Sequence, residues 1–234
     1  DIEKLKESID RQRGRESSGN SDTSYSFDIM PYPYQQAILD ALEAERRGKD
    51  RWHNLVVAAT GTGKTAISAF DYRNFSKQRK EGTRLLFIAH REEILKQSRD
   101  CFRQVMKDPN FGELAVGTYR PHRPEHLFMS IQTFNSQRFW EKIDPHYYDM
   151  IIVDEFHHAA AKSYERLLQY FHPKILLGLT ATPERADGGN ILTYFGGHMA
   201  AEIRLPDAIE RRLLCPFHYF GVTDPISLKQ IKWS

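Results

Sequence analysis

Ala58-Ala59-Thr60-Gly61-Thr62-Gly63-Lys64-Thr65 follows directly on the apolar run Leu55-Val56-Val57. A β-branched run, a glycine-rich turn and then a helical pattern predict a phosphate-binding loop between a strand and a helix. Gly61 and Gly63 let the backbone curl until successive N–H groups point into one anion-sized hollow. With Thr60 and Thr62 they form the expected cradle. Lys64 is placed to reach the β- and γ-phosphates of a nucleotide, and the Thr65 hydroxyl to ligate Mg²⁺. A helix beginning near Lys64 adds the positive end of its dipole. Ala58 stands where the pattern usually has its first glycine.

Outward from this loop, short apolar runs alternate with helical periods. That alternation predicts parallel strands joined by crossover helices, with helices on both faces of the sheet. Upstream, Tyr34, Ile38, Ala41 and Leu42 share one helical face. Strands are predicted at residues 55–59, 85–89, 114–116, 127–130, 150–153 and 175–179, with a helix over about 64–76. Ile94, Leu95, Ser98, Cys101, Phe102 and Val105 form a helical stripe at spacings of three and four. Tyr164, Leu167, Leu168 and Phe171 form another, and the tail from Met199 reads as two short strands around a helix near 206–212.

Ile151-Ile152-Val153-Asp154-Glu155-Phe156-His157-His158 is an apolar strand that ends in two acids. In a doubly wound sheet, ligands bind beyond the carboxyl ends of the strands. Asp154 then faces the phosphate loop and holds Mg²⁺, and Glu155 orients and deprotonates an attacking water. A metal site built from His157, His158 and Glu155 fails on spacing, because adjacent helical residues do not face one point.

The 234 residues suit one large domain or one domain with an appendage, and 40% hydrophobic content is enough for a full core. A net charge of +2 means that any affinity for nucleic acid comes from a local patch. Cys101 and Cys215 show no metal-ligand or redox spacing and read as reduced packing residues of an intracellular protein. No apolar stretch approaches membrane-spanning length, so no membrane association is expected. Residues 1–13 carry Ile2, Leu5 and Ile9 at helical spacing, either a docking helix or a surface one; 14–26 read as a linker. The chain starts at Asp1 without methionine and is expected to be a piece of something longer.

Further elements carry a resemblance. Pro33-Tyr34-Gln35-Gln36 precedes the loop, and Thr180-Ala181-Thr182-Pro183 follows the strand Ile175-Leu176-Leu177-Gly178-Leu179. With Asp154-Glu155-Phe156-His157, these resemble motifs Q, I, II and III of superfamily-2 helicases and translocases in the DExH style. Phe87-Ile88-Ala89-His90-Arg91-Glu92-Glu93-Ile94-Leu95 resembles motif Ia, and Ser130-Ile131-Gln132-Thr133-Phe134 motif Ib. Bacterial helicases related to the Res subunit of type III restriction enzymes are the nearest subgroup. Pro183-Glu184-Arg185-Ala186-Asp187-Gly188 and Leu205-Pro206-Asp207-Ala208-Ile209 also resemble it.

The resemblance implies an α/β, RecA-like P-loop domain over residues 27–221, with a mostly parallel sheet. It implies ATP and Mg²⁺ as ligands, and bacterial cytoplasm, near the nucleoid, as the setting. Gln35 would read the adenine edge, with Tyr32 or Tyr34 packing on the ring. His157 would couple nucleotide state to motif III and to a partner domain. Thr180 and Thr182 would relay the γ-phosphate state, while also capping the turn before Pro183. His90, Arg91, Gln132 and Thr133 would contact the phosphate backbone of one strand, without reading bases. His158 reads as a packing residue, and Arg120-Pro121-His122-Arg123-Pro124 as a solvated basic loop.

Such motors need a second RecA-like domain that supplies an arginine finger; residues 222–234 are expected to begin the connection to it. The resemblance implies an ATP-dependent DNA helicase or translocase. An RNA helicase, or an ATP switch that clamps nucleic acid without unwinding it, remain as alternatives. A small-molecule P-loop kinase leaves Thr180-Ala181-Thr182 without a role.

Overall fold

A computed structural model describes residues 28–79, 82–117, 121–158, 162–183 and 191–216. The chain divides into two units, residues 1–30 and 31–234, and the account below concerns the second. The helix and linker expected before residue 27, and the connection expected over 222–234, lie outside the described residues. So do residues 184–188 of the stretch after motif III and Arg120 of the basic loop.

Seven apolar runs become strands of one sheet: β1 (His53–Ala58), β2 (Leu85–Ala89), β3 (Glu113–Ala115), β4 (His126–Ser130), β5 (Met150–Val153), β6 (Ile175–Thr180) and β7 (Ala201–Ile203). Their order is β3-β4-β2-β5-β6-β1-β7, and every neighbouring pair is parallel. Parallel strands need crossovers on the faces, so both faces must be apolar. The strand sequences satisfy this residue by residue. Val56, Phe87, Ile152 and Leu177 join one buried cluster. Their neighbours Val57, Ile88, Ile151 and Leu176 join the other.

Helices α1 (Pro33–Lys49), α2 (Lys64–Lys77) and α3 (Glu92–Met106) cover the first face. On the second lie α4 (Ile131–Ser136) and α5 (Lys162–Tyr170). A short α6 (Leu205–Glu210) follows β7. Helix α3 has the amphipathic stripe read from the sequence, with Leu95, Ser98, Phe102 and Val105 inward. Helix α2 has no clean stripe, because Ile67, Ser68, Ala69, Phe70, Asp71, Tyr72 and Phe75 are all buried. A helix buried round most of its circumference is hydrophobic round most of it. Among the described residues, no helix is long and apolar enough to cross a membrane.

Two local readings change. Strand β1 starts at His53, two residues earlier than expected, because polar Asn54 is accommodated inside the sheet. Its Oδ1 accepts from Arg46 Nε at 2.7 Å, and its Nδ2 donates to the Arg51 carbonyl at 3.0 Å. Helix α4 was not foreseen as a helix. Ser130 caps it by accepting the Thr133 N–H at 3.1 Å, a serine N-cap three residues ahead of its partner.

Gly178 in β6 is required by close approach. A Cβ there would lie 2.6 Å from Phe195 Cζ, 2.8 Å from Phe156 Cδ2 and 3.0 Å from Leu55 Cδ1. Gly178→Ala is expected to destabilise the domain by about 1–3 kcal/mol through overpacking. Urea denaturation measures this, and an unchanged midpoint would refute it.

Candidate nucleotide site and its rim

Strand order brings dispersed motifs into one row. Along the carboxyl edge run the ends of β4, β2, β5, β6 and β1. Register aligns Ser130 with Ala89, Val153 with Ile88 and with Gly178, and Thr180 with Val57. Adjacent strands lie about 4.8 Å apart, so these five ends span roughly 20 Å.

At the β1 end, Gly61 has φ 90° and Gly63 φ 76°, backbone that side-chain-bearing residues rarely adopt. Thr62 is buried and closes the turn, its N–H and hydroxyl both donating to the Ala59 carbonyl at 3.2 and 2.7 Å. Thr60 and Gly61 are exposed, while Gly63, Lys64 and Thr65 are half-buried at the start of α2. Lys64 Nζ donates to the Ala58 carbonyl at 3.1 Å. The arrangement is a concave run of backbone at a helix N-terminus with a cation beside it, which fits a polyphosphate.

Gln35 reaches the loop from α1. It is 4% exposed. Its Oε1 accepts the Tyr32 N–H at 3.0 Å, and its Nε2 reaches the Thr62 carbonyl at 3.5 Å. A Cβ on Gly63 would lie 2.7 Å from that Nε2. One Oε1 lone pair and one Nε2 hydrogen are thus used by the chain, so Gln35 braces the loop and keeps one acceptor and one donor for a base. Tyr34 is a second brace, its hydroxyl donating to the same Thr62 carbonyl at 2.8 Å. Tyr32 is exposed, with its ring stacked on Tyr34 at 6.0 Å. Leu214, which carried no expectation, also touches the loop: a Cβ on Gly61 would lie 3.0 Å from its Cδ2.

At the β5 end, the Asp154 N–H extends the ladder to the Ile88 carbonyl at 2.9 Å. Burial pushes the Asp154 carboxyl up to about 6, although the Glu155 N–H at 2.9 Å and the Lys64 charge pull it down. Because the folded value exceeds the unfolded one, this group's stabilisation is fully present below the unfolded value. It is lost as pH rises through about 6. Asp154→Asn is therefore expected to stabilise the nucleotide-free protein at pH 7.5, with an advantage that shrinks towards acid pH. Thermal unfolding of both proteins across the range checks this; a constant difference would refute it.

Glu155 has φ 53°, left-handed for a residue with a Cβ, a conformation that stores roughly 1–3 kcal/mol. A 3₁₀ turn, Phe156–His158, follows. Phe156 anchors it, packed edge-on against Phe195 with ring centroids 4.7 Å apart. His157 Nδ1 lies 3.0 Å from Thr180 Oγ1 and 3.2 Å from Glu155 Oε2. The Thr180 hydroxyl donates to the Thr182 carbonyl at 2.8 Å. Its one proton is thus used, so His157 Nδ1 carries the hydrogen that Thr180 and Glu155 accept. Thr182 is exposed, and its N–H points back to Thr180 Oγ1 at 3.3 Å. Beside the acids, the Tyr164 hydroxyl is buried, and among the described residues it has no hydrogen-bond partner. Burial pushes it up to about 12, with the charges of Asp154 and Glu155 adding to that.

At the β2 and β4 ends, His90, Arg91 and Gln132 are exposed. Gln132 Nε2 and His90 Nδ1 meet at 2.9 Å and join the two strand ends. Thr133 corrects the expectation made for it. It is 2% exposed, and its hydroxyl accepts from Gly117 N–H at 2.9 Å and Ser130 Oγ at 2.8 Å. Consecutive helical residues are rotated by about 100°, so α4 turns Gln132 outward and Thr133 into the core. The loop at His122 and Arg123 is tied by their N–H groups to the Glu113 carboxylate at 2.7 and 3.2 Å.

The chain matches the family model of the type III restriction enzyme res subunit over residues 28–185. It is 30% identical over 210 residues to the type I restriction enzyme EcoAI endonuclease subunit of Escherichia coli, covering 85% of this chain and 25% of that protein. Among solved structures, it resembles a nuclease-deletion mutant of the type ISP restriction-modification enzyme LlaGI in complex with a DNA substrate mimic. There the TM-score is 0.62 at 18% identity, over 79% of this chain and 21% of the other. It also resembles the Hef helicase domain of Pyrococcus furiosus, with a TM-score of 0.57 at 21% identity, over 74% and 38%. Those two likenesses show the fold. The chain spans about a quarter of the length of the curated relatives it matches. On the family match and the parallel sheet together, the chain belongs to the res-subunit family of type III restriction enzymes, as a first RecA-like domain of the superfamily-2 helicase kind.

Proposed function

We propose that this chain is the ATP-binding motor domain of an ATP-dependent DNA helicase or translocase, working with a second RecA-like domain. One observation carries the reading. The phosphate loop, the Asp154–Glu155 pair, the His157–Thr180 contact and the His90–Gln132 pair lie on adjacent strand ends of one edge. In this reading the domain runs over 27–221.

In this reading, Thr60, Gly61, Gly63 and Lys64 hold the phosphates of ATP, and Thr62 shapes their cradle by closing the turn on the Ala59 carbonyl. Thr65 and Asp154 hold Mg²⁺, which neutralises charge developing on the phosphates. Glu155 accepts the proton of the attacking water. Its position beside His157 lets Thr180 and Thr182 respond to the nucleotide. His90, Arg91 and Gln132 hold a phosphate backbone by one cation and neutral polar groups, which suits tracking without base readout. The DNA substrate mimic in the LlaGI complex favours DNA as the track. The setting is the bacterial cytoplasm, at the nucleoid.

The test is steady-state ATP turnover by the full-length protein with single-stranded DNA, duplex DNA or RNA added in turn. Stimulation by DNA is the expected result. Stimulation by RNA alone would move the protein to the RNA helicases. No stimulation would remove the roles given to His90, Arg91 and Gln132. Strand displacement separates a helicase from a clamp.

A further inference from the structure

His158 is exposed, and neither the phosphate loop nor the acid pair requires it. Its surroundings give it three contacts. Its ring centroid lies 6.0 Å from that of His90 and 4.1 Å from that of His157. Its backbone N–H donates to the Glu155 carbonyl at 2.9 Å. A contiguous series therefore runs across the rim. Gln132 bonds His90 at 2.9 Å, His90 packs towards His158, and His158 is tied to the residue whose carboxylate lies 3.2 Å from His157.

Coupling between sites needs more than adjacency: it needs an element with two discrete arrangements that both sites bias. The turn from Asp154 to His158 is the candidate for that element, because its backbone is strained. Glu155 sits in the left-handed region at φ 53°, a strained state that neighbouring contacts must hold. The His158 N–H is one of those contacts, closing the turn across Glu155. A displacement of the His90 ring acts on His158, and through that bond on the backbone that aims the Glu155 carboxylate.

We infer that His158 is a positioning residue that transmits occupancy of the His90–Gln132 rim to Glu155, through ring packing and the turn they share. The inference rests on the nucleic-acid reading of that rim given above. Its consequence is confined to coupling. Turnover without polymer should not need His158, whereas acceleration by polymer should.

The test measures ATP turnover by the full-length protein with and without single-stranded DNA, for wild type, His158→Ala and His158→Phe. DNA affinity is measured by fluorescence anisotropy. In the Ala variant the basal rate and the DNA affinity should be unchanged, and the stimulation factor should fall about tenfold. The Phe variant keeps a ring in place and should retain stimulation. The inference is overturned if His158→Ala is stimulated like wild type. It is equally overturned if basal and stimulated rates fall by one factor, if DNA affinity falls in parallel, or if the Phe variant also loses stimulation. A wild-type protein that no polymer stimulates would instead remove the underlying reading of the rim.

Discussion

Asp71→Ala is expected to cost about 3–5 kcal/mol of folding stability, the loss that follows when one partner of a buried ion pair is removed. Asp71 lies on α2 and is 5% exposed; Arg46 lies on α1 and is 7% exposed. Two short bonds join them, Arg46 Nη1 to Asp71 Oδ1 at 2.6 Å and Nη2 to Oδ2 at 2.8 Å. Arg46 Nε adds the bond to Asn54 in β1. One guanidinium therefore pins both helices to the strand that leads into the phosphate loop. Arginine cannot discharge inside a protein, so the Ala variant leaves a cation buried without its counter-charge. Against a total stability of about 5–15 kcal/mol, that loss would leave much of the protein unfolded at physiological temperature. An apolar pair of similar volume, Arg46→Met with Asp71→Leu, should recover only part of it: the cost of desolvating two charges disappears, but the buried Asn54 Oδ1 loses the donor that Arg46 Nε supplied. Urea denaturation of the three proteins decides the matter. A cost below 1 kcal/mol for Asp71→Ala would show that water reaches the pair.

Glu155→Gln is expected to lower polymer-stimulated ATP turnover by about 10²–10⁴-fold, the usual contribution of a positioned general base. Nucleotide affinity should stay close to wild type. The substitution keeps shape and the capacity to accept from His157 Nδ1, which lies 3.2 Å from the carboxylate. It removes only the charge and the proton-accepting power. The left-handed backbone at φ 53° is the same for both residues, so no new strain enters. Turnover of the full-length protein, paired with a fluorescent-nucleotide titration, separates chemistry from binding. Turnover within tenfold of wild type would remove Glu155 from the role of base.

Both effects depend on residues that the linear chain reveals unequally. Glu155 is legible because an apolar run ends in paired acids, and that pattern is local. Arg46 and Asp71 are not. They are 25 residues apart, each sits in an ordinary helical stretch, and a charged residue in a helix normally faces water. The lack of a clean stripe on α2 is the one local hint that this helix is buried on most sides.

Gln132 and Thr133 make the same point at the rim. As adjacent polar residues after a strand they look equivalent. The roughly 100° between consecutive helical residues separates them, sending Gln132 to His90 and Thr133 to the Gly117 N–H. Gln35 likewise carries, from the resemblance, only the expectation of a contact with the adenine edge. Packing against Gly63, where a Cβ would lie 2.7 Å away, turns it onto the loop.

What the sequence by itself determined is the material of this protein. Alternating apolar runs and helical periods required a parallel α/β sheet, and two glycines followed by lysine at the start of a helical pattern required an anion cradle. Those are local properties, written in spacings of two, three and four residues. Tertiary structure alone decided which strand ends became neighbours. The order β4-β2-β5-β6-β1 is set by crossovers packing on both faces, so no short window of sequence contains it. That order puts Thr180 within reach of His157, and His90 between Gln132 and His158. It thereby turns separate motifs into one connected edge.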